Sequence, residues 1–139
     1  ILNLVKNPTG ADVTIHFMNQ DNDNKELLFV LNDNLADGKD VSWIWDINFN
    51  VLNKVDRVIT SGTRAYDMAV RIKNSGYDFN KIECYPNITE AVNNLYKSDG
   101  KKYVIFNYTA VNDVRNTILK FAKDNASHSK EELQELYRC

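Results

Sequence analysis

The chain has 139 residues, 43% of them hydrophobic and 26% charged, with a formal net charge of −2 from 17 basic and 19 acidic side chains. That size and balance describe one globular domain around a single core. The charge offers no field for a nucleic acid or an anionic membrane, and no apolar run approaches the roughly 20 residues that span a bilayer, so neither nucleic-acid binding nor a membrane span is expected.

In chain order, Ala11, Ile15 and Met18 recur at helical spacing and predict a helix beginning near Gly10. The polar stretch NQDNDNK, 19–25, reads as a loop. LLFVL, 27–31, is the first of four short apolar runs; the others are RVIT (57–60), KIECY (81–85) and YVIF (103–106). None alternates with polar residues, which is the pattern of strands covered on both faces, as in a parallel sheet. Between them lie helical stripes. Ala65, Met68, Ala69 and Ile72 form one that stops at Ser75-Gly76; Ile88, Ala91, Val92 and Leu95 form another, ended by Asp99-Gly100. Val111, Val114, Ile118 and Phe121 form a third after Thr109, and Ser129 and Glu132 have capping-box spacing before Leu133 and Leu136. Strands alternating with helices predict an α/β fold, a mostly parallel sheet with helices on both faces. In such sheets ligands sit where the carboxyl ends of the strands release their loops.

Two cysteines, Cys84 and Cys139, fit idle thiols in a reducing compartment better than a disulfide, and no basic-then-apolar leader is visible, so a cytoplasmic location is expected. Three glycosylation-type triplets, at Asn87, Asn107 and Asn125, are expected by chance in an Asn-rich chain. The chain opens on Ile1 rather than Met and is read as a fragment of a longer polypeptide.

Asn32, Asp33, Asn34 and Asp37 leave the first predicted strand at its carboxyl end. They read either as a polar ligand patch or as turn chemistry, the latter favoured for Asp37-Gly38. DVSWIWD, 40–46, holds both tryptophans, Trp43 and Trp45, between Asp40 and Asp46. Two residues apart, the indoles cannot share one face of a regular helix but would share a face in extended structure. Indoles are enriched at protein interfaces, though one or both could fill the core edge. Asp40 could cap a short helical turn; Asp46 could orient a histidine, as a triad acid does, or form a surface ion pair. Ser61, Gly62, Thr63 and Arg64 form a glycine turn opening a helix, where backbone N–H groups and Arg64 could face an anion. The alternative is an ordinary turn capped by Ser61 or Thr63. His16 and His128 do not converge, no Cys/His/carboxylate set has zinc spacing, no Ser or Cys has a nucleophile's context, and there is no phosphate-binding G-x-x-x-x-G-K-[ST]. If the chain serves catalysis, it does so within something larger.

Four stretches in the same order, KNPTG (6–10), NDNLADGKDVSWIWD (32–46), SGTRAYDMAVRIKNSGY (61–77) and NYTAVNDVR (107–115), resemble the C-terminal domain of the MurT family, up to about Lys123. The resemblance implies a Rossmann-like fold of the Mur ligase C-terminal type and a role in amidating the α-carboxylate of D-glutamate in the lipid II stem peptide to D-isoglutamine. It implies ATP and Mg2+ bound mainly by a separate ATPase domain, with no cofactor held tightly here. It also implies a GatD-like glutaminase partner with a Cys and a His, docked on Trp43 and Trp45 and completed by an aspartate, with Asp46 the first choice and Asp40 the second. Asn32, Asp33, Asn34, Asp37, Ser61, Gly62 and Arg64 would then face nucleotide phosphate or stem peptide. The ATPase domain and its expected cysteine cluster are absent from this sequence, so the isolated domain is expected to be inactive. A conventional Mur ligase domain adding an amino acid, and a non-enzymatic interaction module, are the competing readings.

Overall fold

The computed structural model describes residues 1–49 and 52–124. The tail helix expected around Ser129, Glu132, Leu133 and Leu136, together with His128, Cys139 and the Asn125 triplet, lies outside them.

Among the described residues, five parallel strands form one sheet in the order β1-β5-β2-β3-β4. These are β1 Leu2–Leu4, β2 Lys25–Val30, β3 Val55–Ser61, β4 Ile82–Cys84 and β5 Lys101–Phe106. The helices are α1 Pro8–Gln20, α2 Ala65–Asn74, α3 Ile88–Leu95 and α4 Val111–Asp124. The α/β sheet, its parallel pairing and all four helical stripes follow the sequence expectation.

Because every neighbour is parallel, successive strands need crossovers. Those moving toward the β4 edge all lie on one face: α1, the segment between β2 and β3, and α2. The one moving back, α3, lies on the other face with α4. A constant right-handed crossover requires this partition. Odd and even strand positions then feed two cores. Leu27, Phe29 and Leu31 pack with Ile15, Met18, Ile44 and Met68, whereas Leu28 and Val30 pack with Val92, Leu95, Val114 and Ile118. Among the described residues no α-helix joins β2 to β3. Val41, Ile44, Ile47 and Phe49 bury their side chains in its place.

The pattern reading missed β1, an edge strand of only three residues, and began β2, β3 and β5 two residues late. Charged side chains stand at or near the starts of the strands that were begun late, and in β2 they are buried. Lys25 is fully buried and donates to the carbonyls of Asp21 (2.6 Å) and Asp23 (3.1 Å). Glu26 accepts from Lys102 and from Ser98 Oγ and faces Arg57 at 3.5 Å. Arg57 in turn donates to the carbonyls of Asn94 (2.9 Å) and Leu95 (3.2 Å), closing the carboxyl end of α3. Arg57→Met is expected to lower unfolding free energy by about 3 kcal/mol, because it leaves the Glu26 carboxylate and two helix carbonyls short of a partner; urea unfolding measures it.

Burial pushes the Glu26 carboxyl up, but the hydrogen bonds from Lys102 and Ser98, with the charges of Lys102 and Arg57, outweigh it and hold the carboxyl below its ordinary value. A depressed folded-state value means the stabilisation is complete above the unfolded value and is lost as pH falls through the folded one. An acid limb of stability below about pH 4 is therefore expected, reduced in Glu26→Gln.

Candidate functional site

At the carboxyl end of the sheet, β2 and β5 each release an asparagine. The Asn32 N–H donates to Asn107 Oδ1 (3.0 Å) and Asn107 Nδ2 donates back to the Asn32 carbonyl (2.7 Å). This amide pair extends the β2–β5 ladder by one rung after the strands end. The Asn32 side chain then reaches both ways: Oδ1 accepts from the Thr63 N–H (3.0 Å) and Nδ2 donates to Thr109 Oγ1 (3.3 Å). Asn32 is buried and ties together the loops after β2, β3 and β5. With three neighbours engaged it acts as scaffold. Asn107 and Thr109 were not singled out as site residues, although an asparagine directly after each of two apolar runs was the available signal. With both amide groups bonded and its side chain buried, Asn107 is also a poor glycosylation acceptor.

The other sequence candidates converge on the same end. Asp33 accepts from Thr63 Oγ1 (2.8 Å) and Arg64 (3.3 Å); the Thr63 hydrogen bond, then that of Arg64, holds its carboxyl below the usual range. Asn34 donates to Thr109 Oγ1 (2.9 Å). Asp37 accepts from the Thr109 N–H (2.8 Å), the Thr109 hydroxyl and the Asn34 N–H (3.2 Å), so it braces the β5 loop rather than only turning its own. Gly38 has φ +87°, as a turn glycine would.

Two expectations about the 61–64 turn need correction. Neither Ser61 nor Thr63 caps α2: the Ser61 hydroxyl donates to the Pro86 carbonyl (3.3 Å), Thr63 is engaged with Asp33, and the residue before α2 is Arg64, whose side chain accepts no cap bond. Arg64 is also not a free cation aimed at an anion. It is held between Asp67 (2.6 Å) and Asp33 (3.3 Å), and the two carboxylates neutralise it. Gly62, at φ +95°, donates its N–H to the Pro86 carbonyl (3.1 Å).

Beside this turn lies a cleft of about 340 Å³ lined by Asn32, Asn34, Thr63, Asn87, Asp113 and Asn116, among others. Its polar side chains are amides, hydroxyls and one carboxylate, beside Pro86 and Ile88, with no cation. Such a lining suits a neutral hydrogen-bonding ligand better than a bare phosphate. Among the described residues no group of three His, Cys, Asp or Glu is placed to hold a metal ion. His16 sits exposed on α1 beside Gln20, away from these loops.

The tryptophan stretch is neither extended nor α-helical. Ser42–Asp46 forms a single 3₁₀ turn. At about three residues per turn, positions two apart point in different directions. Trp43 is half-buried and packs on the core, whereas Trp45 is 49% exposed, with the Arg71 guanidinium 5.4 Å from its ring centre. Asp40 Oδ1 accepts the Ser42 N–H at 2.9 Å, which holds its carboxyl below the usual range and fixes its direction at the start of the turn. Asp40 and Trp45 line the same depression of about 250 Å³, with Lys39, Arg64 and Asp67 on its rim. Asp46 is exposed and accepts no hydrogen bond from another described residue.

The family model for the MurT ligase C-terminal domain matches residues 4–111. The subunit MurT of lipid II isoglutaminyl synthase (glutamine-hydrolyzing) from Streptococcus pneumoniae is 32% identical over 118 residues, 83% of this chain and 26% of that protein. The same subunit from Staphylococcus aureus is 40% identical over 75 residues, 52% of this chain and 17% of that protein. The chain thus spans about a quarter or less of the relatives it matches. No helix among the described residues is long and apolar enough to cross a membrane. With a model match across most of a parallel α/β domain, the chain belongs to the MurT ligase C-terminal family.

Proposed function

We propose that the chain is the C-terminal domain of a MurT subunit of a lipid II isoglutaminyl synthase, which uses glutamine to amidate the D-glutamate α-carboxylate of the lipid II stem peptide in the cytoplasm. In this reading the domain docks a GatD-like glutaminase and lends it a carboxylate. The observation that carries it is the 40–46 turn: a half-exposed indole and a directionally held aspartate share one depression, on a domain whose sequence offers no nucleophile of its own.

The partner chemistry needs such a carboxylate. A cysteine nucleophile is activated by a histidine, and that histidine needs an acid to fix its tautomer and stabilise its charged form. The sequence ranking put Asp46 ahead of Asp40 because Asp40 had a capping alternative. The geometry supports the reverse order. Hydrogen bonds from Ser42 hold the Asp40 carboxylate still, and a triad acid works by being held at a fixed angle. Asp46 has no such support.

The residues described here do not fit a nucleotide-phosphate site of their own, since Arg64 is neutralised and the cleft beside Gly62 carries no cation. ATP and Mg2+ belong, in this proposal, to the ATPase domain of the full-length subunit. The neutral cleft is then the better place for stem-peptide amides, with Asn34 and Thr63 on its wall.

The test is co-purification of the full-length subunit with the glutaminase, followed by amidation of lipid II with glutamine or with ammonia. Stable co-purification with glutamine-driven amidation is expected. A subunit that ignores the glutaminase and instead joins an amino acid to a muramyl peptide would be the conventional ligase, and one that does neither would be an interaction module.

A further inference from the structure

Arg71 is the one arginine buried on the inner face of α2, among Ala65, Met68 and Ile72. An apolar side chain would fill that position without the cost of desolvating a charge. The guanidinium is engaged by the tryptophan turn. Nε donates to the Ile44 carbonyl at 3.0 Å and Nη2 donates to the Ile47 carbonyl. Its carbon lies 5.4 Å from the ring centre of Trp45 and 5.3 Å from that of Phe49. One planar group therefore holds both the backbone of the turn, at two points three residues apart, and its exposed indole. The same end of the segment is pinned a second time, by the Asn48 N–H donating to Asp12 of α1 at 2.7 Å.

Arg64 stands immediately before α2, seven residues ahead of Arg71. There Arg64 is clamped by Asp33 from the β2 loop and by Asp67. The depression that holds Asp40 and Trp45 is bounded by Arg64 and Asp67 as well. Its two walls, the turn and the start of α2, are thus joined through α2 itself, by Arg71 on one side and Arg64 on the other.

We propose that Arg71 is a positioning residue for the glutaminase reaction. It sets the angle and height of the 40–46 turn against α2, and so aims the lent carboxylate and Trp45 at the partner. This rests on the proposed docking role of that turn. Arg71 touches no reacting atom; it acts through the Ile44 and Ile47 carbonyls and the Trp45 ring. The planar fork matters, because a lysine ammonium cannot donate along two fixed directions while lying flat on an indole.

The experiment uses the full-length subunit with its glutaminase and compares wild type, Arg71→Met and Arg71→Lys. Glutamine hydrolysis, glutamine-driven amidation and ammonia-driven amidation are measured on the same preparations. Arg71→Met is expected to lower kcat for glutamine hydrolysis by on the order of 10- to 100-fold, with the glutamine KM little changed and ammonia-driven amidation intact, since a displaced catalytic group costs rate rather than ground-state binding. Arg71→Lys should recover part of the loss. Equal loss of glutamine- and ammonia-driven activity in Arg71→Met would mean a merely structural role, and unchanged glutamine hydrolysis would mean no role; either overturns the proposal. If Arg71→Met is not recovered as folded protein, Arg71→Lys decides alone by the same split. Failure of the docking reading is separately visible, as wild-type subunit that does not raise glutamine hydrolysis at all.

Discussion

Asp40→Asn in the full-length subunit is expected to lower glutamine-driven amidation by on the order of 10²- to 10⁴-fold, the range set by removing the acid of a catalytic triad. Ammonia-driven amidation should be unaffected, because it bypasses the glutaminase. The substitution is well matched to the question. An asparagine oxygen can still accept the Ser42 N–H now bonded to Asp40 Oδ1, so the turn keeps its start while the charge is lost. Asp46→Asn, at an exposed carboxylate with no supporting hydrogen bond among the described residues, is expected to behave nearly as wild type. If the large loss follows Asp46→Asn instead, the lent group is Asp46. If neither variant loses glutamine-driven activity, the domain lends no carboxylate.

Gly62→Ala should be the most damaging small substitution in the fold. A Cβ at Gly62 would lie 2.4 Å from the Leu31 carbonyl oxygen and 2.7 Å from Asn32 Oδ1, and the backbone sits at φ +95°. The nearest of these is main chain, which cannot rotate away. Asn32 is also the residue that joins three loops, so relief on that side would disturb the whole carboxyl end of the sheet. A loss of roughly 3–5 kcal/mol is expected, combining left-handed strain with the clash. Gly76→Ala provides the control: its φ is +99°, but nothing lies within 4 Å of the added Cβ. It should cost only about 1–2 kcal/mol. Urea unfolding of the two variants separates close approach from backbone conformation; equal losses would contradict the packing argument.

Much of the fold was legible because a strand covered on both faces has a plain signature. Leu27 to Leu31 and Tyr103 to Phe106 could hardly be anything else, and the stripes of α2, α3 and α4 carried period 3.6, the first two with clear stops. What periodicity cannot report is a charged residue whose burial depends on partners distant in sequence. Glu26 is paid for by Lys102 and Arg57, and neither pairing is local. The site divided in the same way. Asn32 and Asp33 could be placed by their position at a strand exit. The engagement of Arg64 by Asp33, 31 residues earlier, could not. Arg71 looked like one more polar residue of an amphipathic helix, although its acceptors lie 27 and 24 residues back, at Ile44 and Ile47. For the tryptophans, neither the helical nor the extended alternative anticipated a 3₁₀ turn that turns Trp43 inward and leaves Trp45 outside.

The central claim is that the exposed face of the 40–46 turn is where the glutaminase sits. It is tested most directly by the affinity of the glutaminase for full-length subunit carrying Trp45→Ala, with Phe79→Ala as control. Phe79 is likewise exposed, but it precedes β4 at the amino end of the sheet. A half-exposed tryptophan at the centre of an interface is worth about 2 kcal/mol or more on truncation. Trp45→Ala should therefore weaken binding by roughly 30-fold or more, while Phe79→Ala leaves it unchanged. Wild-type affinity in Trp45→Ala would contradict the account.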